Sequence, residues 1–157
     1  KIYLTMKSIV NSQLMGKWYQ IAKGENRSEK DFVEVMVYLS ISCGNYMDLL
    51  YVGIREDRSK NLRKLSLKIL TNDDANHLIV KNNVFRKRLK ILTFNEADGI
   101  IIISDIKMKY FSILSRKPTM NHDVVEFYLS KIDYLKSNIK KFKLYSYSIV
   151  SELKNNS

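Results

Sequence analysis

Short runs in which apolar and polar residues alternate make up most of this chain, and this period of two limits what it can fold into. Such alternation is typical of β-strands with one buried and one solvated face. The runs predict strands over residues 32–41, 46–54, 62–70, 77–85, 89–94, 100–103 and 109–116. Turn-forming residues separate them at 43–45, 56–61, 72–76 and 96–99. Strands at this even spacing indicate an antiparallel meander, closed as a barrel or folded as a sandwich.

The part of the chain after Pro118 follows a helical period instead. Asn121 is a suitable N-cap, and apolar side chains recur at helical spacing from Val125 to Leu135. We predict one amphipathic helix at about 121–137 and a last strand at about 143–150. With 157 residues, the chain has the length of one domain, 1–157, with its barrel core at about 16–116.

Basic residues outnumber acidic residues by 27 to 16, and the excess is concentrated in one region. Residues 58–90 contain ten Lys and Arg side chains, against the two acidic residues Asp73 and Asp74. A positive region of this kind attracts anionic partners. We therefore expect the region to meet an anionic group of a ligand, or an anionic membrane surface.

Several classes of protein lack support in the sequence. Cys43 is the single cysteine, so no internal disulfide can form, and no apolar run reaches the roughly 18 residues of a transmembrane helix. Neither His77 nor His122 lies in a metal-binding or haem-binding motif, and no glycine-rich phosphate loop is present. We therefore predict that the protein is not an enzyme and holds no metal. The basic run 86–90 lacks the aromatic signature of RNA-binding domains, so no nucleic-acid partner is expected.

Two segments carry a resemblance to a known family. The sequence GKWYQIA at 16–22 resembles the Gly-x-Trp-Tyr-x-Ile-Ala signature of lipocalins, in the form found in the apolipoprotein D and bacterial lipocalin branch. The sequence YFSILSRKPT at 110–119, followed by the predicted helix, resembles the end of the last barrel strand in that branch. The sequence NEAD at 95–98 departs from the Thr-Asp-Tyr-like turn that the family has between these segments.

The resemblance implies an all-β fold: an eight-stranded antiparallel up-and-down β-barrel with one C-terminal α-helix and a final strand. It also implies structural roles for three residues that close one end of the barrel. Trp18 is large enough to plug that end, and Arg116 can stack on the indole and donate hydrogen bonds to nearby carbonyls. Gly16 lets the neighbouring backbone approach closely.

A barrel of this size encloses one small ligand. The resemblance is used to decide which side chains of each strand point into the barrel. The predicted ligand-binding residues are then Glu34, Met36, Tyr38, Tyr51, Leu89, Ile91, Tyr110, Ser112 and Leu114. Together they describe an apolar cavity with a few hydroxyl groups. Such a cavity suits a fatty acid or a lysophospholipid, and it also suits haem or another tetrapyrrole as a bound ligand, while no permanent cofactor is expected.

The resulting interpretation is a protein that sequesters or carries a small hydrophobic, anionic ligand outside the cytoplasm, in a secreted, vacuolar or periplasmic-like setting. A haem-handling factor and a self-associating interaction scaffold are the alternatives. The scaffold alternative rests on the strand at 32–41. If its Glu34 face points into the barrel, the apolar stripe on its other face lies outside and can pair with another molecule. Its members are Val33, Val35, Val37, Leu39 and Ile41, and the stripe predicts a homo-oligomer.

Overall fold

Eight antiparallel strands form a closed barrel in the computed structural model, which describes residues 9–24, 31–42, 45–72, 75–120, 122–130, 143–145 and 147. The strands are β1 (Gly16–Lys23), β2 (Phe32–Ile41), β3 (Met47–Arg55), β4 (Lys60–Asn72), β5 (Ala75–Lys81), β6 (Arg86–Asn95), β7 (Ile100–Asp105) and β8 (Phe111–Ser115). Each strand pairs with the next in sequence, and β1 pairs with both β2 and β8, so the sheet closes on itself. The predicted eight-stranded up-and-down barrel is confirmed.

Three further elements lie outside the barrel wall. The short helix α1 (Asn11–Leu14) precedes β1, and α2 (His122–Ser130) follows β8. The two-residue strand β9 (Lys143–Leu144) pairs with β1. The predicted helix starts where expected, while its second part, 131–137, and residues 146 and 148–150 of the predicted last strand lie outside the described residues. Within the described ranges, no helix is long and apolar enough to cross a bilayer.

Two strands are shorter than the alternation predicts, because a side chain binds the backbone at one end of each. The strand predicted at 77–85 ends at Lys81, and the strand predicted at 109–116 begins at Phe111. The Asn82 Oδ1 atom accepts hydrogen bonds from the backbone N–H groups of Val84 (2.7 Å) and Phe85 (2.8 Å), so residues 82–85 form a turn and not the end of a strand. The Asp105 Oδ1 atom accepts from the N–H groups of Lys109 (2.7 Å) and Tyr110 (2.8 Å), which delays β8 until residue 111. Asn and Asp commonly bind nearby backbone in this way.

The barrel wall separates two apolar clusters. The inner cluster fills the closed part of the barrel and includes Trp18, Val37 and Leu114. The outer core lies between the wall and the C-terminal part of the chain, and it joins Tyr19 and Met36 of the wall to residues outside it. Its members from α2 and from the chain near β9 are Tyr128, Tyr145 and Tyr147.

The outer core is fixed to the wall by buried hydroxyl groups. The Tyr147 hydroxyl donates to the carbonyl oxygens of Val35 (2.9 Å) and Gln20, and burial raises the pKa of that hydroxyl. The Tyr128 hydroxyl of α2 donates to Asp98 in the turn between β6 and β7. Burial and this carboxylate together raise the pKa of Tyr128 to about 12. Both phenols therefore stay protonated at neutral pH and act as donors.

The prediction of which face of β2 points into the barrel is wrong. Trp18 pairs with Val37 and Tyr19 pairs with Met36, so Val37 shares the inner face with Trp18. Both faces of β2 carry large apolar residues because one faces the cavity and the other faces the outer core, and alternation alone therefore cannot orient the strand. A register shift between Phe32 and Glu34 also breaks the alternation at the start of β2.

The apolar stripe predicted on the outside of β2 is consequently not a continuous surface. Val37 and Leu39 belong to the inner cluster, and Val35 is fully buried in the outer core. Val33 and Ile41 are exposed, at the two ends of the strand. The reasoning that led from this stripe to a homo-oligomer therefore loses its basis.

Arg116 organises the closed end of the barrel, where β1 begins and β8 ends. Its Nη1 atom donates to the carbonyl oxygen of Lys17 (3.1 Å) and its Nη2 atom to that of Gln13 (2.9 Å). Its Cζ atom lies 3.9 Å from the centre of the Trp18 ring, and the Trp18 Nε1 atom donates to the Leu14 carbonyl oxygen (2.9 Å). This cluster closes the barrel and holds α1 across it.

Two glycines lie against the Arg116 side chain. Gly16 has φ +98°, and a Cβ atom there would lie 3.3 Å from the Arg116 Nη1 atom. Gly99 has φ +65°, and its Cβ atom would lie 2.9 Å from the Arg116 Cγ atom. Residues with a side chain rarely adopt such φ angles, which favours glycine at both positions, and at Gly99 a Cβ atom would in addition lie too close to the Arg116 side chain.

We expect Arg116→Lys to lower the free energy of unfolding by about 3 kcal/mol, because lysine cannot stack on Trp18 and reach two carbonyl oxygens together. For a chain of this length the melting temperature should fall by about 6–12 °C. Thermal unfolding followed by circular dichroism measures the change. Arg88→Lys, at an exposed position on the outer surface, is the matched control and should shift the melting temperature by less than about 2 °C. Equal shifts in the two variants would contradict this role of Arg116.

Candidate functional site

The interior of the barrel is a cavity of about 440 Å³. Every barrel strand contributes to its wall, because alternate side chains of a strand point to the same side. A cavity of this size lies within the range of small-molecule sites in proteins, about 300–1,000 Å³. The cavity is therefore the candidate functional site.

Aliphatic side chains form half of the cavity lining. Its floor is formed by Leu14 and Trp18, the second of which is only 1% exposed. The aliphatic residues of the wall above them are Val37, Leu39, Leu49, Leu65, Leu67, Leu78, Val80, Leu89, Ile101, Ile103 and Leu114. Such a surface binds ligands through burial of apolar area and imposes little directional selectivity.

One polar pair interrupts the apolar wall. The Ser112 Oγ atom donates a hydrogen bond of 2.7 Å to the Gln20 Oε1 atom, and both side chains are buried on the inner face of neighbouring strands. Because the two groups bind each other, the polar atoms involved do not lie bare against an apolar ligand.

The mouth of the cavity lies at the opposite end of the barrel from Arg116. Phe85 and Tyr110 line the cavity and are also exposed, so the cavity reaches solvent between them. Three cationic side chains line the mouth-side part of the wall, namely Lys23, Arg63 and Lys87. Positive charge at the entrance of an apolar cavity suits a ligand with an apolar body and an anionic end.

Aromatic rings accompany two of these cations. The Arg63 Cζ atom lies 5.6 Å from the centre of the Tyr51 ring, and the Lys87 Nζ atom lies 6.0 Å from the centre of the Tyr110 ring. Asp105 is the acidic residue of the lining, and its Oδ1 atom already accepts two backbone hydrogen bonds. The described lining thus carries three cations and one carboxylate.

Five of the nine predicted ligand-binding residues line the cavity: Tyr51, Leu89, Tyr110, Ser112 and Leu114. Ile91 belongs to the inner cluster but is not part of the lining. Whether the five bind a ligand stays a prediction. Tyr110 lies at the mouth, where its exposure distinguishes it from the other four.

The remaining three, Glu34, Met36 and Tyr38, lie outside the cavity because the opposite face of β2 points into the barrel. A carboxylate oxygen of Glu34 lies 3.4 Å from the Arg58 Nη1 atom. The Tyr38 hydroxyl donates to the Met36 Sδ atom at 3.7 Å, and the Lys17 Nζ atom lies 5.5 Å from the Tyr38 ring centre. These residues support the wall from outside.

Sequence reasoning missed most of the aliphatic wall and Lys23, and it included Arg63 and Lys87 only as members of the basic region 58–90. A signal was available in β4, where Arg63, Leu65 and Leu67 alternate with the polar Lys64 and Ser66. This strand has one clearly apolar face, unlike β2, and its alternation was sufficient to place Leu65 and Leu67 inside. The same parity places Arg63 on the inner face at the mouth.

The described lining contains no histidine, cysteine or methionine. His77 alternates on β5 with Leu78, which lines the cavity, so the imidazole lies on the outer side of the wall. Burial and the nearby charges of Arg88 and Lys90 lower the pKa of His77, so the imidazole is neutral at physiological pH.

Solved structures similar to this chain show which fold it has. Lobster apocrustacyanin A1 matches with 24% identity over 86% of this chain and 78% of that protein, at a TM-score of 0.57. The Per a 4 allergen from cockroaches matches with 10% identity over 96% of this chain and 97% of that protein, at a TM-score of 0.65. Lipocalin 12 from rat epididymis matches with 11% identity over 80% of this chain and 78% of that protein, at a TM-score of 0.61.

At these identities the likeness establishes the fold. No protein-family model and no curated protein sequence matches the chain. The closed eight-stranded barrel, the helix after β8 and the similar structures together define the lipocalin fold. The chain therefore has the lipocalin fold, as the resemblance of its two end segments implied.

We expect Leu65→Trp to reduce the space inside the barrel and to weaken binding of the fluorescent apolar probe 1-anilinonaphthalene-8-sulfonate at least tenfold. Leu65 is half-buried and lines the cavity, so the added indole volume takes up space in the cavity. Lys64→Trp, at the next position on the outer face, is the matched control and should change the affinity less than twofold. Fluorescence titration gives both affinities. Equal affinities in the two variants would show that the probe binds elsewhere.

Proposed function

We propose that this protein binds and carries a single-chain amphiphile with an anionic end, of the fatty-acid or lysophospholipid class. The hydrocarbon chain lies along the aliphatic wall towards Trp18, and the anionic group lies at the mouth near Arg63 and Lys87. The observation that carries the proposal is an apolar cavity of about 440 Å³ with its cations confined to the mouth side. It matches an amphiphile in both shape and polarity.

The wall supplies enough apolar contact for useful affinity. Burial of a methylene group contributes about 0.8 kcal/mol, so a chain of about a dozen buried methylenes contributes roughly 10 kcal/mol before losses. Immobilisation of ligand and side chains offsets several kcal/mol of this. With an offset of about 4 kcal/mol, the remaining value of about 6 kcal/mol corresponds to a dissociation constant of a few tens of micromolar, which suits a carrier that must also release its ligand.

The composition of the lining favours a hydrocarbon chain over a tetrapyrrole. Haem is commonly bound through His, Cys, Met or Tyr as axial ligand, and of these only Tyr51 and Tyr110 occur in the described lining. Aliphatic side chains outnumber aromatic ones in the lining by twelve to five, whereas a flat ring favours aromatic neighbours. A haem titration monitored at the Soret band separates the two ligand classes, since a sharp stoichiometric band would favour the tetrapyrrole.

Other parts of the sequence interpretation belong to the same proposal. A binding role without catalysis, a setting outside the cytoplasm, and membership of the apolipoprotein D and bacterial lipocalin branch follow from the resemblance of residues 16–22 and 110–119. Self-association stays a separate prediction, and light scattering at micromolar concentration tests it.

We expect a brominated fatty acid to quench the fluorescence of Trp18 most strongly when bromine is near the methyl end of the chain. Trp18 is the single tryptophan of the sequence and forms the cavity floor, so it reports the depth of the bromine atom. An isomer with bromine near the carboxylate should quench much less at equal occupancy. Stronger quenching by the carboxylate-side isomer would reverse the proposed orientation, and no quenching by either would contradict binding in the barrel.

We expect the double substitution Arg63→Gln and Lys87→Gln to weaken a fatty acid by about tenfold while leaving the fatty alcohol of equal length within twofold. Each lost charge contact at the partly solvated mouth contributes on the order of 1 kcal/mol. Lys64→Gln with Arg88→Gln, on the outer face of the same two strands, controls for net charge. Isothermal titration calorimetry measures the affinities. A similar loss for acid and alcohol would show that the mouth cations do not select the anionic end.

A further inference from the structure

Two neighbouring turns at the mouth expose apolar side chains. The turn between β5 and β6 exposes 90% of Val84 and 42% of Phe85, and the turn between β7 and β8 exposes 50% of Ile106 and 49% of Tyr110. The turns are adjacent because β6 pairs with β7, with Leu89 opposite Asp105. We call residues 82–88 and 105–110 the rim patch.

Cations surround these apolar tips. The rim patch contains five exposed basic side chains, namely Arg86, Lys87, Arg88, Lys107 and Lys109. Asp105 is its acidic residue, and the Asp105 carboxylate is engaged by the backbone N–H groups of its own turn. The patch therefore combines projecting apolar groups with a strong excess of positive charge.

Local hydrogen bonds fix the turns that present these side chains. Asn82 holds the backbone of Val84 and Phe85, and Asp105 holds that of Lys109 and Tyr110. The Asn82 N–H group also donates to the Phe85 carbonyl oxygen at 3.0 Å. The apolar tips consequently stay exposed, since the turns that carry them cannot fold them back onto the barrel without breaking these bonds.

The combination matches the surface of an anionic lipid bilayer. Its head groups attract basic side chains, and apolar side chains such as those of Val84 and Ile106 lower the free energy of the bound state when they enter the bilayer. A folded protein partner fits less well, because a stable interface buries about 800 Å² on each side and needs a continuous apolar centre. Here the apolar tips are few and separated by charges.

We propose that the rim patch docks on an anionic membrane and places the mouth of the barrel against the lipid. Phe85 and Lys87 belong to both the rim patch and the cavity lining, so the docked cavity is continuous with the bilayer. This inference rests on the proposed binding of an amphiphile, because it gives the route by which such a ligand enters and leaves without crossing water.

Sedimentation with vesicles tests the docking. Wild-type protein should sediment with vesicles of phosphatidylcholine and phosphatidylglycerol, and much less with phosphatidylcholine alone. Val84→Asp should weaken this binding about tenfold, because an apolar contact is replaced by a charge that the surface repels. The double substitution Arg86→Glu and Arg88→Glu should weaken it about twentyfold or more, since each basic residue near an anionic surface contributes about fivefold.

Matched substitutions at the closed end control for surface charge and polarity. Ile41 is 79% exposed at the end of β2, and Lys117 is exposed beside Arg116, so Ile41→Asp and Lys117→Glu should leave vesicle binding within twofold of wild type. Equal sedimentation with both kinds of vesicle would overturn the proposal. So would a rim-patch variant that binds anionic vesicles as well as the closed-end variants do.

A ligand measurement separates this inference from the proposed function. Val84, Arg86 and Arg88 do not line the cavity, so their variants should bind a soluble fatty acid with wild-type affinity. Intact fatty-acid binding without vesicle binding in the wild type would overturn docking alone. Vesicle binding without fatty-acid binding in the wild type would overturn the proposed function and leave docking supported.

Discussion

The guanidinium of Arg116 connects more parts of this fold than any other group described above. It joins the end of β8 to α1 and β1 by hydrogen bonds, and it covers the Trp18 ring. It adds side-chain hydrogen bonds to the backbone pairing that already joins β1 to β8. Two positive-φ glycines lie against its side chain, at positions where a residue with a Cβ atom would be strained. The closed end of the cavity therefore depends on Arg116, a residue that does not itself line the cavity.

The sequence was sufficient for the architecture because the main signals are local. Alternation located the strands, and the segments around Trp18 and Arg116 identified the barrel through their resemblance to lipocalins. Which face of β2 points into the barrel could not be predicted in this way. Val37 faces the cavity and Met36 faces α2 and the C-terminal tyrosines, so both sides of the strand are apolar and only the pairing with β1 distinguishes them.

The site was partly accessible for the same reason. Leu89 and Leu114 line the cavity, and the face of Leu114 was taken from the resemblance, while Arg63 and Lys87 were visible only as part of the excess of charge over 58–90. Their division between cavity and outer surface depends on strand register, which is a property of the closed sheet. The turn at residues 95–98, which departs from the family pattern, also supports the fold, because its Asp98 accepts a hydrogen bond from Tyr128 and so anchors α2.

The floor of the cavity also has a consequence for how the chain folds. Gln13 and Arg116 are 103 positions apart in sequence, and the floor forms only when these two segments meet. Contacts of such separation form late, because a long loop must close before they contribute. Until then the growing barrel is a sheet with an unpaired edge on β1 and an unpaired apolar inner face. The cavity is therefore open to water until β8 is synthesised, and the outer core stays uncovered longer, because Tyr128, Tyr145 and Tyr147 come later in the chain.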